Sequence, residues 1–161
     1  MRTKIAVALG AVVALALGLA TLQWASAQMG GNMMMKMPSM AEQNTMLKRS
    51  IAAGKKVFSD ASLSTNNTSC ASCHPGGGTT GGKITAMGMP MAIPTLKGAA
   101  ATFPKWKMGA QKVITLSQMN NACLQMFMKG KPLSLEDQRM ADLAAYVTSL
   151  SKGKPVYPQL K

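Results

Sequence analysis

The sequence predicts an all-α domain in which helices are joined by long loops. Three observations carry that prediction. Residues 46–58 hold an apolar stripe at helical spacing, and residues 134–150 hold a second stripe between start and stop signals. No segment alternates apolar and polar residues convincingly enough to read as a strand. The 161 residues allow one domain with tails. One His and five carboxylates make a Ser-His-Asp triad, a carboxylate-pair hydrolase and a multi-His metal centre poor fits, so no residue is assigned a catalytic role.

The N-terminal block reads as a secretory signal peptide. Arg2 and Lys4 precede an uninterrupted apolar or small run from Ile5 to Leu22, and Ala25-Ser26-Ala27 supplies a cleavage pattern. Residues 1–27 are therefore expected to be removed on export to the periplasm, an uncleaved membrane anchor being the competing reading. Loss of Arg2 and Lys4 lowers the formal charge from +13 to +11 on the 134 residues that remain. Residues 28–44 begin with QMGGNMMMKMPSM, which has no periodicity and reads as a flexible leader. Its soft thioethers suit copper(I), although a simple tail accounts for the composition.

Order is expected from near Thr45, with a domain over 45–152 and a tail over 153–161. In the first helix Met46, Leu47, Ile51, Gly54, Val57 and Phe58 form the stripe, and Lys48, Arg49, Lys55 and Lys56 lie largely off it. Residues 59–82 turn to Ser, Thr, Asn and Gly, which is loop chemistry. The glycines at 76–78 and 81–82 lack the strand, helix and Lys-Ser/Thr of a phosphate loop. A short helix is expected over Ala110–Met126. In the closing helix Ser134 is the expected cap with Asp137 at the third helical position. Leu135, Met140, Leu143, Ala144, Val147 and Leu150 form the apolar face, and Gly153 and Pro155 stop it.

The chemistry lies at Cys70-Ala71-Ser72-Cys73-His74. C-x-x-C followed directly by His is the attachment pattern for c-type haem. Two thiols three residues apart on one turn can each add to one haem vinyl group, and the adjacent His can then ligate the iron. A thioredoxin-like dithiol would need a strand-helix context and no obligatory His. A zinc site would need further ligands, and only Cys123 remains. One covalently attached haem c is the expected cofactor.

From these residues the chain resembles the small class I c-type cytochromes. Gly54 three residues before Val57-Phe58 and Tyr146 in the closing helix match a tight first-to-last helix crossing in that family. Pro94-Thr95-Leu96-Lys97-Gly98 matches its Pro-x-Leu segment, which implies that the Pro94 carbonyl accepts the His74 Nδ1 proton and fixes the ring. A narrower resemblance rests on Phe103-Pro104, Val113-Ile114-Thr115-Leu116, Asn121-Ala122-Cys123 and Met128-Lys129-Gly130-Lys131-Pro132-Leu133. These are similar to the haem domains of thiosulfate dehydrogenases and of sulfur-oxidising cytochrome subunits. In several of those domains the cysteine matching Cys123 is the second axial ligand. The chain departs from them in having a single C-x-x-C-H, and in Met-Lys-Gly-Lys where Met-Asn-Gly-Lys is common.

The distal ligand remains open between Cys123 and Met128, with Met89, Met91 and Met108 as further candidates. Thiolate stabilises ferric iron and lowers the potential, whereas thioether raises it. Either one occupying the sixth position argues against an open gas-sensing haem. Lys97, Lys105, Lys107, Lys112, Lys129 and Lys131 bracket the segments expected at the haem edge. Such a field suits an acidic redox protein, a membrane oxidase or donor, or an anionic reductant. An exported chain without an aromatic-interleaved basic motif is not expected to bind nucleic acid. The expected function is a periplasmic one-electron carrier, and the scarcity of carboxylates suggests an acidic setting with ferrous iron as electron source. The alternative is a thiosulfate dehydrogenase-like or sulfur-oxidation haem subunit with thiolate ligation, paired with a second haem subunit.

Overall fold

A computed structural model describes residues 37–86 and 88–156 of the protein. The expected signal peptide, the expected leader as far as residue 36 and the last five residues of the tail lie outside them. Helix α1 runs Met40–Phe58 and is followed by a 3-10 turn at Ala61–Leu63 and the one-turn helix α2, Cys70–Cys73. Strands β1 (Gly82–Ala86) and β2 (Met89–Ile93) form a hairpin, and β3 (Lys105–Lys107) and β4 (Lys112–Ile114) form another, with 3-10 turns at Ala100–Thr102 and Met108–Ala110. Helices α3 (Leu116–Met126) and α4 (Gln138–Ser149) complete the order. None of the helices among the described residues is long and apolar enough to cross a membrane.

The all-α expectation is corrected by the two antiparallel hairpins. They pair Ile84 with Met91 in one and Trp106 with Val113 in the other. Strands of three to five residues are too short for alternation to stand out. In Lys105-Trp106-Lys107 the pattern is also inverted, because the Trp faces solvent and the lysines are partly buried.

Helix α1 begins at Met40, five residues before the expected Thr45. Its start is fixed by a capping box: Ser39 Oγ accepts from Glu42 N at 3.3 Å, and Ser39 N donates to Glu42 Oε2 at 2.7 Å. Met46 and Leu47 are exposed, so the first two turns lie outside the core. The expected helix over Ala110–Met126 starts only at Leu116, where Thr115 and Gln118 form a second capping box; β4 occupies part of the difference. Asp137, not Ser134, caps α4, accepting from Arg139 N at 2.9 Å. Ser134 instead closes a turn, its carbonyl accepting from Asp137 N at 3.2 Å, and Leu135 is exposed.

Helices α1 and α4 cross at Gly54. A Cβ there would lie 1.9 Å from the Asp142 carbonyl oxygen and 2.8 Å from Tyr146 Cβ, so only glycine permits the approach. Phe58 then meets Tyr146 edge-on at 5.3 Å between ring centroids, in a core cluster with Leu143 and Val147. The buried Asp142 carboxylate accepts from Ser50 Oγ at 2.6 Å and Gln138 Nε2 at 2.8 Å, so its polarity is satisfied. A second cluster joins Leu124, Met128, Leu133 and Met140.

The segment 127–133 is fastened at both sides. Asn121 clamps it by donating to the Leu133 carbonyl and accepting from Leu133 N. Asn66 Nδ2 donates to the Phe127 carbonyl, and Thr65 Oγ1 to that of Lys129. Lys129 sits at φ 55°, a left-handed conformation that Asn adopts more readily than Lys. Replacing Lys129 with Asn is therefore expected to stabilise the fold by about 0.5 kcal/mol, and with Gly by about 1 kcal/mol. Denaturant midpoints at constant slope would read this, and a fall in midpoint for both variants would refute it.

Candidate haem site

The attachment motif folds as a single turn because Ser69 and Ser72 hold its start and His74 N closes onto the Cys70 carbonyl at 2.9 Å. Cys70 and Cys73, three residues apart, thereby share one helical face, and both line a cavity of about 350 Å³. A Cβ on Gly82 would sit 2.2 Å from the Cys73 carbonyl oxygen, so the first hairpin also packs against this turn.

His74 leaves the helix as its C-cap and lines the same cavity. Its Nδ1 lies 3.1 Å from the Pro94 carbonyl oxygen, which leaves Nε2 as the ring nitrogen for a ligand. Burial holds His74 below the ordinary histidine value, and the Pro94 bond opposes that shift. The net effect favours the neutral ring that metal ligation needs. Pro94 is held in turn through its neighbours: Leu96 N donates to the Gly78 carbonyl at 2.8 Å and Thr95 Oγ1 to the same oxygen at 3.2 Å. Tyr146 Oη donates to the Gly77 carbonyl at 2.8 Å, tying the loop after His74 to α4.

Helix α3 contributes Met119, Asn120 and Cys123 to the cavity. Met119 and Asn120 were not singled out from sequence, although their spacing of four and three residues from Cys123 places them on its helical face. The side-chain nitrogen of Asn120 is buried with no hydrogen-bond partner among the described residues, so this wall carries a donor awaiting an acceptor. Burial, with Cys73 nearby, pushes the Cys123 thiol above its ordinary value, and Lys107 acts the other way. Cys70 is pushed up to about 12 by burial and then by Cys123, so the motif and Cys123 are electrostatic neighbours.

The structure separates the other distal candidates. Met89 and Met108 are exposed and do not line the cavity, whereas Met91 does. Met128 also lines it, but the side chain is only 3% exposed, packs with Leu124, Leu133 and Met140, and places its Sδ 4.0 Å from Cys70 Sγ.

From β3, Lys105 and Lys107 line the cavity, and no Asp or Glu does. Lys105 Nζ donates to Thr102 Oγ1 at 2.8 Å and lies 4.4 Å from the Phe103 ring centroid. Burial, and then Lys107, hold Lys105 below the ordinary lysine value. Of the other four lysines expected at the haem edge, Lys97, Lys112, Lys129 and Lys131, none lines the cavity.

The arrangement fits a haem: an apolar cavity, two thiols on one turn, an imidazole with an anchored Nδ1, a thiol on α3, two lysines, and an amide donor, Asn120 Nδ2, with no partner among the described residues. Residues 53–156 match the family model described as the SoxA/TsdA cytochrome c domain. Thiosulfate dehydrogenase of Allochromatium vinosum is 28% identical over 115 residues, covering 68% of this chain and 40% of its own length. SoxXA from P. pantotrophus superposes with a TM-score of 0.53 at 21% identity, over 68% of this chain and 35% of that one. The TsdBA thiosulfate dehydrogenase of Marichromatium purpuratum does so with a TM-score of 0.56 at 16% identity, over 78% and 26%. The chain thus spans less than half the length of each relative.

Proposed function

This chain belongs to the SoxA/TsdA cytochrome c domain family, and from that membership we propose that it is an exported monohaem electron carrier in the oxidation of reduced sulfur compounds, with Cys123 as the distal ligand and thiosulfate as the leading reductant. Haem, when bound, supplies an iron that exchanges one electron between its ferric and ferrous states. Cys70 and Cys73 would hold it covalently, and His74, oriented by Pro94, would ligate it.

The observation that carries the reading is the position of Cys123 in the cavity of the C-x-x-C-H motif, under the field of Lys107, while Met128 is committed to core packing. A thiol that burial keeps protonated needs a strong cation to give up its proton, and a metal centre is such a cation. Lys105 and Lys107 give the cavity a positive wall toward which an anionic reductant is drawn.

Thiolate ligation lowers the haem potential. It therefore makes the haem a poor acceptor from ferrous iron, and the sulfur setting displaces the iron setting that the scarcity of carboxylates suggested. Joining two thiosulfate anions through a new S–S bond releases two electrons, whereas one haem stores one. A second redox centre in a partner subunit would take the second electron.

The test is the reduction potential of the mature haem protein at about pH 7 and again near pH 3, together with thiosulfate-dependent reduction of an artificial acceptor. A strongly negative potential is expected. A high positive potential retained in acid would overturn the thiolate assignment and return the iron setting to first place.

A further inference from the structure

We propose that the outer face of the β3–β4 hairpin is the docking site for an acidic electron-transfer protein, with Trp106 as its central contact. The inference rests on the haem reading above, because the hairpin's other face forms the wall of that cavity.

Successive residues of a strand point to opposite sides, so Lys105 and Lys107 facing the cavity send Trp106 outward. Trp106 is 56% exposed, and its cross-strand partner Val113 is 59% exposed. An aromatic and a β-branched residue paired on an open face, with Met108 exposed beside them, make an apolar spot one residue from the cavity wall. Trp is the residue type most enriched at the energetic centre of interfaces.

The charge around this spot states the partner's sign. Between Asp60 and Glu136 the sequence contains seven lysines and no carboxylate, so acidic residues are confined to its flanks. Lys107 and Lys112 pair across the turn end of the hairpin, on the side away from Trp106, where Lys112 is exposed, so a like-charge pair rims the apolar spot. A carboxylate-rimmed partner would relieve that repulsion and bring its redox centre against the cavity wall. A second copy of this chain would add to the repulsion.

The experiment uses the haem-loaded mature protein and, as the probe, an acidic plant-type ferredoxin titrated by calorimetry. One-to-one binding is expected, weakening at least about tenfold as NaCl rises from about 20 to about 200 mM. Trp106→Ala and Lys112→Glu should each weaken it about tenfold at low salt. The haem absorption bands and reduction potential of both variants should match the parent's, since neither Trp106 nor Lys112 lines the cavity. Absence of the absorption bands of covalently attached haem from the parent would instead condemn the haem reading. No ferredoxin binding by the parent, or binding by both variants as tight as the parent's, would overturn the proposal. So would a parent dimer that Trp106→Ala dissociates, or parent binding to phosphatidylserine vesicles in preference to ferredoxin.

Discussion

Replacing Cys123 with Met is expected to raise the haem reduction potential by on the order of a few hundred millivolts, the largest functional change any single substitution in this chain should produce. The reasoning is electronic. A thiolate donates charge and favours ferric iron, whereas a thioether does not, and position 123 lies on the cavity-facing side of α3. Redox titration followed by the haem absorption bands would read the shift, and the ferric spectrum would lose its thiolate signature. Met128→Leu is the control. Its side chain belongs to the cluster with Leu124, Leu133 and Met140, so its replacement should cost less than about 1.5 kcal/mol of stability and leave the potential close to the parent's. If Met128→Leu shifts the potential and Cys123→Met does not, the ligand assignment is reversed.

Gly54→Ala is expected to be the most damaging conservative change to the fold, at about 3 kcal/mol or more. The added methyl would meet the Asp142 carbonyl oxygen at 1.9 Å and its carbon at 2.5 Å. Both are backbone atoms of a packed helix and cannot swing aside as the end of a side chain would. Relief requires α1 and α4 to separate, which breaks the Phe58–Tyr146 contact and shifts Leu143 and Val147 on the cavity wall. Gly109→Ala is the matched comparison: nothing lies within 4 Å of a Cβ there, so it should change stability by no more than about 0.5 kcal/mol. Denaturant unfolding of the haem-loaded proteins would separate the two. Equal midpoints for both variants would show that the helix crossing tolerates the methyl.

Much of the cofactor chemistry was legible because it is local. The C-x-x-C-H spacing is a statement about one helical turn, and Cys70–Cys73 forms that turn. The Gly54–Tyr146 crossing and the His74–Pro94 bond were reached through family resemblance, and the structure contains both. The elements missed were those whose identity depends on what surrounds them. Strand β3 places two lysines toward a cavity and a Trp toward solvent, the reverse of the usual pattern, so alternation could not reveal it. Met119 and Asn120 gained significance only once α3 was seen to turn the Cys123 face toward the motif.

By itself, then, the sequence determined the Cys70–Cys73 turn, the helix that opens the domain and the helix that closes it, and the basic character of the chain. Each depends on spacings within a few residues or on composition. The surroundings of Cys123 and Met128, the two hairpins and the partition of lysines between cavity and surface belong to the tertiary structure. Cys123 and Met128 both lie about fifty residues beyond His74, and sequence separation carries no information about how each packs around the cavity. Packing sets that difference: both line the cavity, but Leu124, Leu133 and Met140 pack around Met128, whereas Cys123 lies near Lys107.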